Sequence, residues 1–213
     1  MLGDKMRSIR EFPRKELPMS KALNGDMTAM DLAVVPSASC IMLAAAPNAI
    51  PDQDDQSPSS IHIDAAVRST LRKLLNQHLA DTFDLFSQTK HAHWNATGIH
   101  FRQFHKLFDR LAEDLEDHTG IIAQRIATLG GVAKATVRTA AADSRLPELP
   151  LDLGDGMCTV TLLEERYTQL AQATRKGIDK AIRLGDADTA DLFTRIARDL
   201  DQALWFLEAH LRT

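Results

Sequence analysis

HAHWNATGIHFRQFHKLFDRLAEDLEDHTGIIAQRIATLGG, residues 91–131, holds five of the eight histidines of the chain, one of its two tryptophans and a dense row of carboxylates. His105 and Asp109 stand four apart, so on a helix they share one face about a turn from each other. His93 precedes them across the short Ala96-Thr97-Gly98 break, so it can end one helix and face back toward the next. Two imidazoles and a carboxylate form an N,N,O set that suits Fe(II), Zn(II) or Mn(II) better than Ca(II). A single helix histidine is more often a polar surface or satisfied core residue than a ligand. It is the three together, followed by a Gly130-Gly131 stop, that point to metal.

Working outward, apolar residues recur at helical spacing on both sides of this stretch. Val67, Leu71, Leu74, Leu75, His78, Phe86 and His93 mark a first helix beginning near Ile63 or Asp64 and ending at Asn95–Gly98. His78 lies in that stripe and reads as a core or interface histidine, not a ligand. The second helix runs from about Ile99 to Leu129 and ends at Gly130-Gly131 in an αL-type stop. Residues 132–155 are too many for a hairpin turn. Thr139–Asp143 can form a short helix there, before Pro147, Pro150 and Gly154 break the chain. A third long helix over Thr159–Leu184 buries Val160, Leu163, Tyr167, Leu170, Thr174, Gly177 and Ala181. Gly185-Asp186 turns the chain into a fourth over Ala187–Leu211, with Phe193, Ile196, Leu200 and Leu207 on its seam. Four long helices with a long crossover between the second and third predict an all-α, ferritin-like four-helix bundle.

The 213 residues suit one domain and a tail. A core domain over 61–213 is about 150 residues, long enough to bury a sizeable core. Residues 1–60 lack a regular apolar period and are broken by prolines, and their composition predicts disorder. Residues 1–21 carry Lys5, Arg7, Arg10, Arg14, Lys15 and Lys21 against Asp4, Glu11 and Glu16. Ile41–Ala46 faintly resembles a signal-peptide core, but it is short and far from the N-terminus. Met19, Met27, Met30 and Met42 are alternative starts. A net charge of −4 argues against a surface that always coats nucleic acid. Two cysteines make no disulfide framework, which fits a reducing, cytoplasmic compartment. No apolar run is long enough to span a membrane.

The residues Lys90, His93-Trp94-Asn95, Gly98, Phe101, His105, Phe108-Asp109, Arg125 and Leu129-Gly130-Gly131 resemble the signature of the Dps family of mini-ferritins. The ending Leu204-Trp205-Phe206-Leu207-Glu208-Ala209-His210-Leu211 fits too, and the resemblance spans about residues 62–212. It implies a short helix in the crossover and a hollow homo-oligomer, dodecameric, that takes up iron. The expected activity is a ferroxidase that oxidises Fe(II), preferentially with hydrogen peroxide, stores ferric mineral and relieves oxidative stress. The site, di-iron or mononuclear, would lie between subunits, with His93, His105 and Asp109 from one and two carboxylates from the partner's second helix. None of the eight histidines has a Glu three residues before it, so the Glu-x-x-His pairs of larger ferritins are absent.

The two partner positions map to Gly120 and Gln124, and neither is a carboxylate. Three readings follow. The site is degenerate and the cage has little oxidase activity; or Asp117, His118 or His210 substitutes, the histidines shifting preference toward Zn; or water fills the missing positions and Gln124 ligates through its amide oxygen. Trp94 reads as a core aromatic, to which the resemblance adds a role in absorbing oxidising equivalents. Glu113, Asp114, Glu116 and Asp117 are solvated-face carboxylates in a monomer and mineral-seeding groups inside a shell. Asp152 and Asp155 are candidate pore residues. A rival from another class is a non-enzymatic shell that compacts DNA in the nucleoid, which would rest on the diluted basic stretch in 1–21.

Deleting residues 1–60 is expected to leave assembly and iron uptake intact, as read by light scattering and anaerobic Fe(II) titration. The full-length chain is expected to hold duplex DNA weakly or not at all at physiological salt, because few phosphate contacts can be made. Tight, salt-resistant retention lost on the same deletion would overturn this.

Overall fold

The computed structural model describes residues 61–212. The expectations of a disordered, basic or signal-like N-terminal segment lie outside the described residues. Five helices follow one another: α1 (Ala65–Asn95), α2 (Phe101–Thr128), α3 (Val137–Asp143), α4 (Gly156–Arg183) and α5 (Ala187–Leu211). Among the described residues there is no strand, and no helix is long and apolar enough to cross a membrane.

Each helix except α2 starts on a side chain that accepts an otherwise unpaired backbone N–H. Asp64 Oδ1 accepts from Ala66 N at 2.8 Å, and Asp155 Oδ1 from Cys158 N at 2.8 Å. Thr136 and Asp186 do the same for Thr139 and Thr189. Asp155 therefore starts α4 at Gly156, three residues before the expected Thr159. At the other ends, Gly130 (φ +74°) closes α2 in the left-handed conformation that glycine adopts without Cβ strain.

Cross-helix contacts fix the directions. Thr89 meets Tyr167 and His78 meets Thr174, so α1 and α4 run antiparallel. Phe104 near the start of α2 touches both Gly156 at the start of α4 and His210 at the end of α5. Arg125 near the end of α2 binds Asp186 at the start of α5. So α2 and α4 descend together while α1 and α5 ascend. The crossover must therefore climb the full length of α1, and polar side chains of α1 and α4 carry it. Arg72 donates to Gly130 O, Asn76 bonds Val132 O and Lys134 N, Gln77 donates to Asp143 O, and Ser144 donates to Asp84. Asp81, 2% exposed, takes the Arg145 guanidinium and its backbone N–H. Arg166 of α4, 3% exposed, donates to Pro147 O and Glu148 O and to Gln88.

The core is the common interior of the four long helices, with Leu71, Leu75, Leu79, Phe108, Leu115, Ile122, Leu163, Tyr167, Phe193, Ile196 and Leu207 all but closed to solvent. Burying such side chains stabilises the fold by about 1.5–3 kcal/mol each before conformational entropy is subtracted. At Gly177 the Phe193 ring approaches to 3.1 Å of where a Cβ would stand, so a larger residue there would require the ring to give by a few tenths of an ångström.

His78 is buried in this core, as its place in the stripe predicts. Its Nε2 lies 2.8 Å from the Thr174 hydroxyl, which itself donates to Leu170 O. The imidazole therefore donates through Nε2. Burial pushes its pKa down to about 4, only partly opposed by Asp81. The unfolded chain takes up this proton near the ordinary 6.5 and the folded chain only near 4. Stability from this group is thus lost as pH falls through that window, by about 3 kcal/mol in full. A His78→Gln variant is expected to lose less stability than the natural chain between neutral pH and pH 4, measured by urea unfolding. Parallel losses would show that His78 does not set the acid limit.

Candidate metal centre at the α1–α2 hairpin

Five residues, Ala96 to His100, connect α1 to α2. With so short a link the last turn of α1 must lie against the first turns of α2. His93 Nδ1 stands 2.8 Å from His105 O, and His105 Nδ1 stands 3.1 Å from His93 O. A carbonyl can only accept, so both rings carry a proton on Nδ1, and the neutral tautomer this selects has its lone pair on Nε2. The rings stack with centroids 3.9 Å apart and planes inclined by 23°. This is how a protein fixes the tautomer and orientation of histidines that ligate metal through Nε2.

Asp109, one turn along α2 from His105, places Oδ1 3.7 Å from His93 Nε2. The same oxygen lies 2.9 Å from Lys90 Nζ. The hydrogen bond from Lys90, more than the nearby imidazoles, holds the Asp109 carboxyl below its ordinary range, so it is an anion at neutral pH. Its side chain is 44% exposed, which leaves the open side of the site facing out of the bundle. His93 is therefore placed against both His105 and Asp109, but among the described residues no three His, Cys, Asp or Glu side chains are arranged to hold a metal ion.

Trp94 departs from expectation. It is 68% exposed, not a core aromatic, because position 94 falls on the face of α1 turned away from the bundle seam. Its ring centroid lies 5.9 Å from Lys90 Nζ. Ile99 and Phe101 are exposed on the same hairpin tip.

Gly120 and Gln124 are exposed on α2 and share its outer stripe with Asp109, Glu113 and Asp117. At 1.5 Å per residue they lie about 16 and 22 Å along the helix from Asp109, beyond reach of the same ion in one chain. A Cβ at Gly120 would meet nothing within 4 Å, so nothing in the chain's own packing requires glycine there. His118 points the other way: it is 3% exposed and its Nε2 bonds Asp199 Oδ2 of α5 at 3.0 Å. It lines a cleft with Asp114, Asp117, Arg110 and Arg195, away from the imidazole pair. His210 bonds Phe206 O and packs on Phe104. Neither histidine joins the site within one chain.

The family model for ferritin-like domains matches residues 72–213. A DNA protection during starvation protein of Agrobacterium fabrum is 40% identical over 145 residues, covering 68% of this chain and 90% of its own length. The chain belongs to the Dps family of ferritin-like proteins. Another protein of the same name, from Halobacterium salinarum, is 30% identical over 137 residues, covering 64% of this chain and 75% of its own. Among solved structures, the tetragonal form of Mycobacterium smegmatis Dps superposes with a TM-score of 0.71 at 29% identity, over 74% of this chain and 94% of that one. An archaeal Dps homologue from Halobacterium salinarum gives 0.72 at 27% identity, over 78% and 93%. The four-helix bundle with its crossover helix is thus a Dps fold.

Lys90 is the site residue whose role the sequence left unassigned. The available signal was its spacing, three before His93 and four before Trp94, which sets all three on neighbouring helical positions. The tautomer assignment is open to measurement. Nitrogen-15 NMR of the apo protein at neutral pH is expected to show His93 and His105 both protonated on Nδ1. A ring protonated on Nε2 and not on Nδ1 would contradict the reciprocal bonding.

Proposed function

We propose that this chain forms a hollow homo-oligomer, dodecameric, that takes up Fe(II), oxidises it preferentially with hydrogen peroxide and stores the product as ferric oxyhydroxide. The observation that carries this reading is the reciprocal imidazole–carbonyl pairing, which leaves two Nε2 lone pairs beside an ionised, outward-facing carboxylate. That arrangement has no second half in its own bundle. Asp109 and positions 120 and 124 share one stripe of α2, so two copies of α2 packed antiparallel about its middle would bring Asp109 of one against 120–124 of the other. In this reading the site is completed by a second copy.

The chemistry balances without a resident cofactor. Two ferrous ions each give one electron to one peroxide, and its O–O bond breaks. With water the products are two ferric oxyhydroxide units and four protons. Both reactants that would otherwise make hydroxyl radical are consumed, which protects DNA without contact with it. Exposed Glu113, Glu116 and Asp117 offer anionic oxygens for the ferric product if that face lines a cavity.

Gly120 and Gln124 set the level of activity. Without the two negative charges, Fe(II) is held by two neutral imidazoles, one carboxylate and water, and the ferric state loses more stabilisation than the ferrous. This makes the natural protein a slow ferroxidase. No geometric feature favours Zn over iron.

The test is an anaerobic Fe(II) titration followed by a peroxide pulse. His105→Ala and Asp109→Ala are expected to abolish binding and oxidation. Gly120→Asp with Gln124→Glu adds two charges near the ion, and even a net gain of about 1–2 kcal/mol after desolvation gives roughly tenfold tighter binding and faster oxidation. A natural shell already as fast as the restored one would mean that Asp117 or another ligand completes the site.

A further inference from the structure

The face of α1 that carries the crossover continues toward its C-terminus through Asp84, Gln88 and His91, which follow one another at helical spacing. There it borders an open cavity of about 430 Å³, lined on its other side by Glu148, Leu149 and Leu151 of the crossover. Gln88 is 7% exposed, and its Nε2 is buried with no hydrogen-bond partner; His91 Nε2 is buried and unpartnered as well. Both atoms are donors. Gln88 Oε1 accepts from Arg166 Nε at 2.9 Å, so turning the amide over would set donor against donor. Asn95 Nδ2 donates to His91 O at 2.9 Å and lies 3.4 Å from His91 Nδ1. That ring nitrogen therefore faces an N–H, which leaves the imidazole proton on Nε2. Two buried donors one turn apart on one helix are rarely left without an acceptor.

We propose that this cavity binds a small organic ammonium compound carrying a carbonyl oxygen, of the α-amino amide type. The carbonyl oxygen, with two lone pairs, accepts from Gln88 and His91 together. The charge of the lining decides the rest of the ligand. Asp84 and Glu148 stand on it, and no lysine or arginine does. The guanidinium behind Gln88, that of Arg166, is already bonded to Gln88 and to the carbonyls of Pro147, Leu162 and Glu148. An anionic ligand is therefore opposed, and an ammonium is favoured beside the two carboxylates. Leu151, exposed on the lining, offers apolar surface that the ligand's side chain covers. The site involves none of His93, His105 and Asp109, so the proposal stands or falls apart from the iron chemistry. Water in the cavity would satisfy the same two donors, and the test therefore reads selectivity.

The experiment titrates the full-length protein with L-leucinamide, followed by calorimetry and saturation-transfer NMR. Leucinamide carries the carbonyl, the ammonium and an apolar side chain. Of three control compounds, 3-methylbutylamine lacks the carbonyl, 4-methylpentanamide lacks the ammonium, and leucine puts a carboxylate in place of the amide. Each control is expected to bind about tenfold more weakly, the loss of one charged or hydrogen-bonded contact. His91→Phe keeps a ring but removes the donor, and is expected to weaken leucinamide and 4-methylpentanamide alike. Asp84→Asn with Glu148→Gln is expected to weaken leucinamide severalfold and to leave 4-methylpentanamide unchanged. If His91→Phe does not fold by circular dichroism, Gln88→Glu, which still accepts from Arg166, carries the same expectation for 4-methylpentanamide. Leucinamide that does not bind, binds no better than the controls, or is indifferent to both sets of substitutions overturns the proposal and leaves the cavity to water.

Discussion

The reciprocal bonding of His93 and His105 across the α1–α2 turn sets the register of this molecule. Each imidazole N–H satisfies a carbonyl of the opposite helix, so a slip of one residue along either helix would break both bonds and leave buried polar groups unpaired. Because Ala96–His100 is so short, that register propagates down the hairpin and aligns the apolar seam of α1 with that of α2. The α2–α5 contact is fixed at the far end by Arg125, which donates to both oxygens of Asp186 and to Thr189. Burial pushes the Asp186 carboxyl up, but the hydrogen bonds from Thr189 and Arg125 win and keep it below its ordinary range. One polar clamp stands at each end of α2.

Between those clamps the bundle has to route its chain from the end of α2 to the start of α4 at the opposite end. That constraint explains the mixed character of α1. One face carries Leu71, Leu75, Leu79 and Leu85 into the core, while Arg72, Asn76, Asp81 and Asp84 hold the crossover on another. Polar residues such as Arg72, Asp81 and Arg166 are buried by the segment they bind, with their donors and acceptors met by its backbone and side chains. The crossover is therefore part of the fold and not a loop lying on it.

The α1–α2 hairpin site follows a different logic from the core. Its imidazoles are oriented by backbone carbonyls of the facing helix, which fixes both rings within one chain. Its charge is set by Asp109 and Lys90, which pair where one turn of α1 faces one turn of α2. The exposed Trp94, Ile99 and Phe101 beside it leave apolar surface on the same hairpin tip. The stripe that ends in Gly120 and Gln124 lies on the outer face of α2, where a Cβ at position 120 would meet nothing within 4 Å.

Helical periodicity and the Gly130-Gly131 and Gly185-Asp186 stops determined the four long helices, and α5 begins and ends where that pattern places it. The spacing of His93, His105 and Asp109 determined that His93 would face the first turns of α2, because short separations along a helix and a tight turn leave few alternatives. The start of α4 lay three residues early because Asp155, considered for a pore, is its cap. Trp94 read as core and is exposed, since aromatic character says what a residue gains from burial and not which face of the helix it occupies. His118 read as a spare ligand and is turned to Asp199, a partner 81 residues away. The tautomers of the paired imidazoles, the hold of Lys90 on Asp109 and the anchoring of the crossover were decided only by the tertiary structure. Each depends on which atoms of distant segments meet at hydrogen-bond distance, and periodicity along one chain carries no information about that.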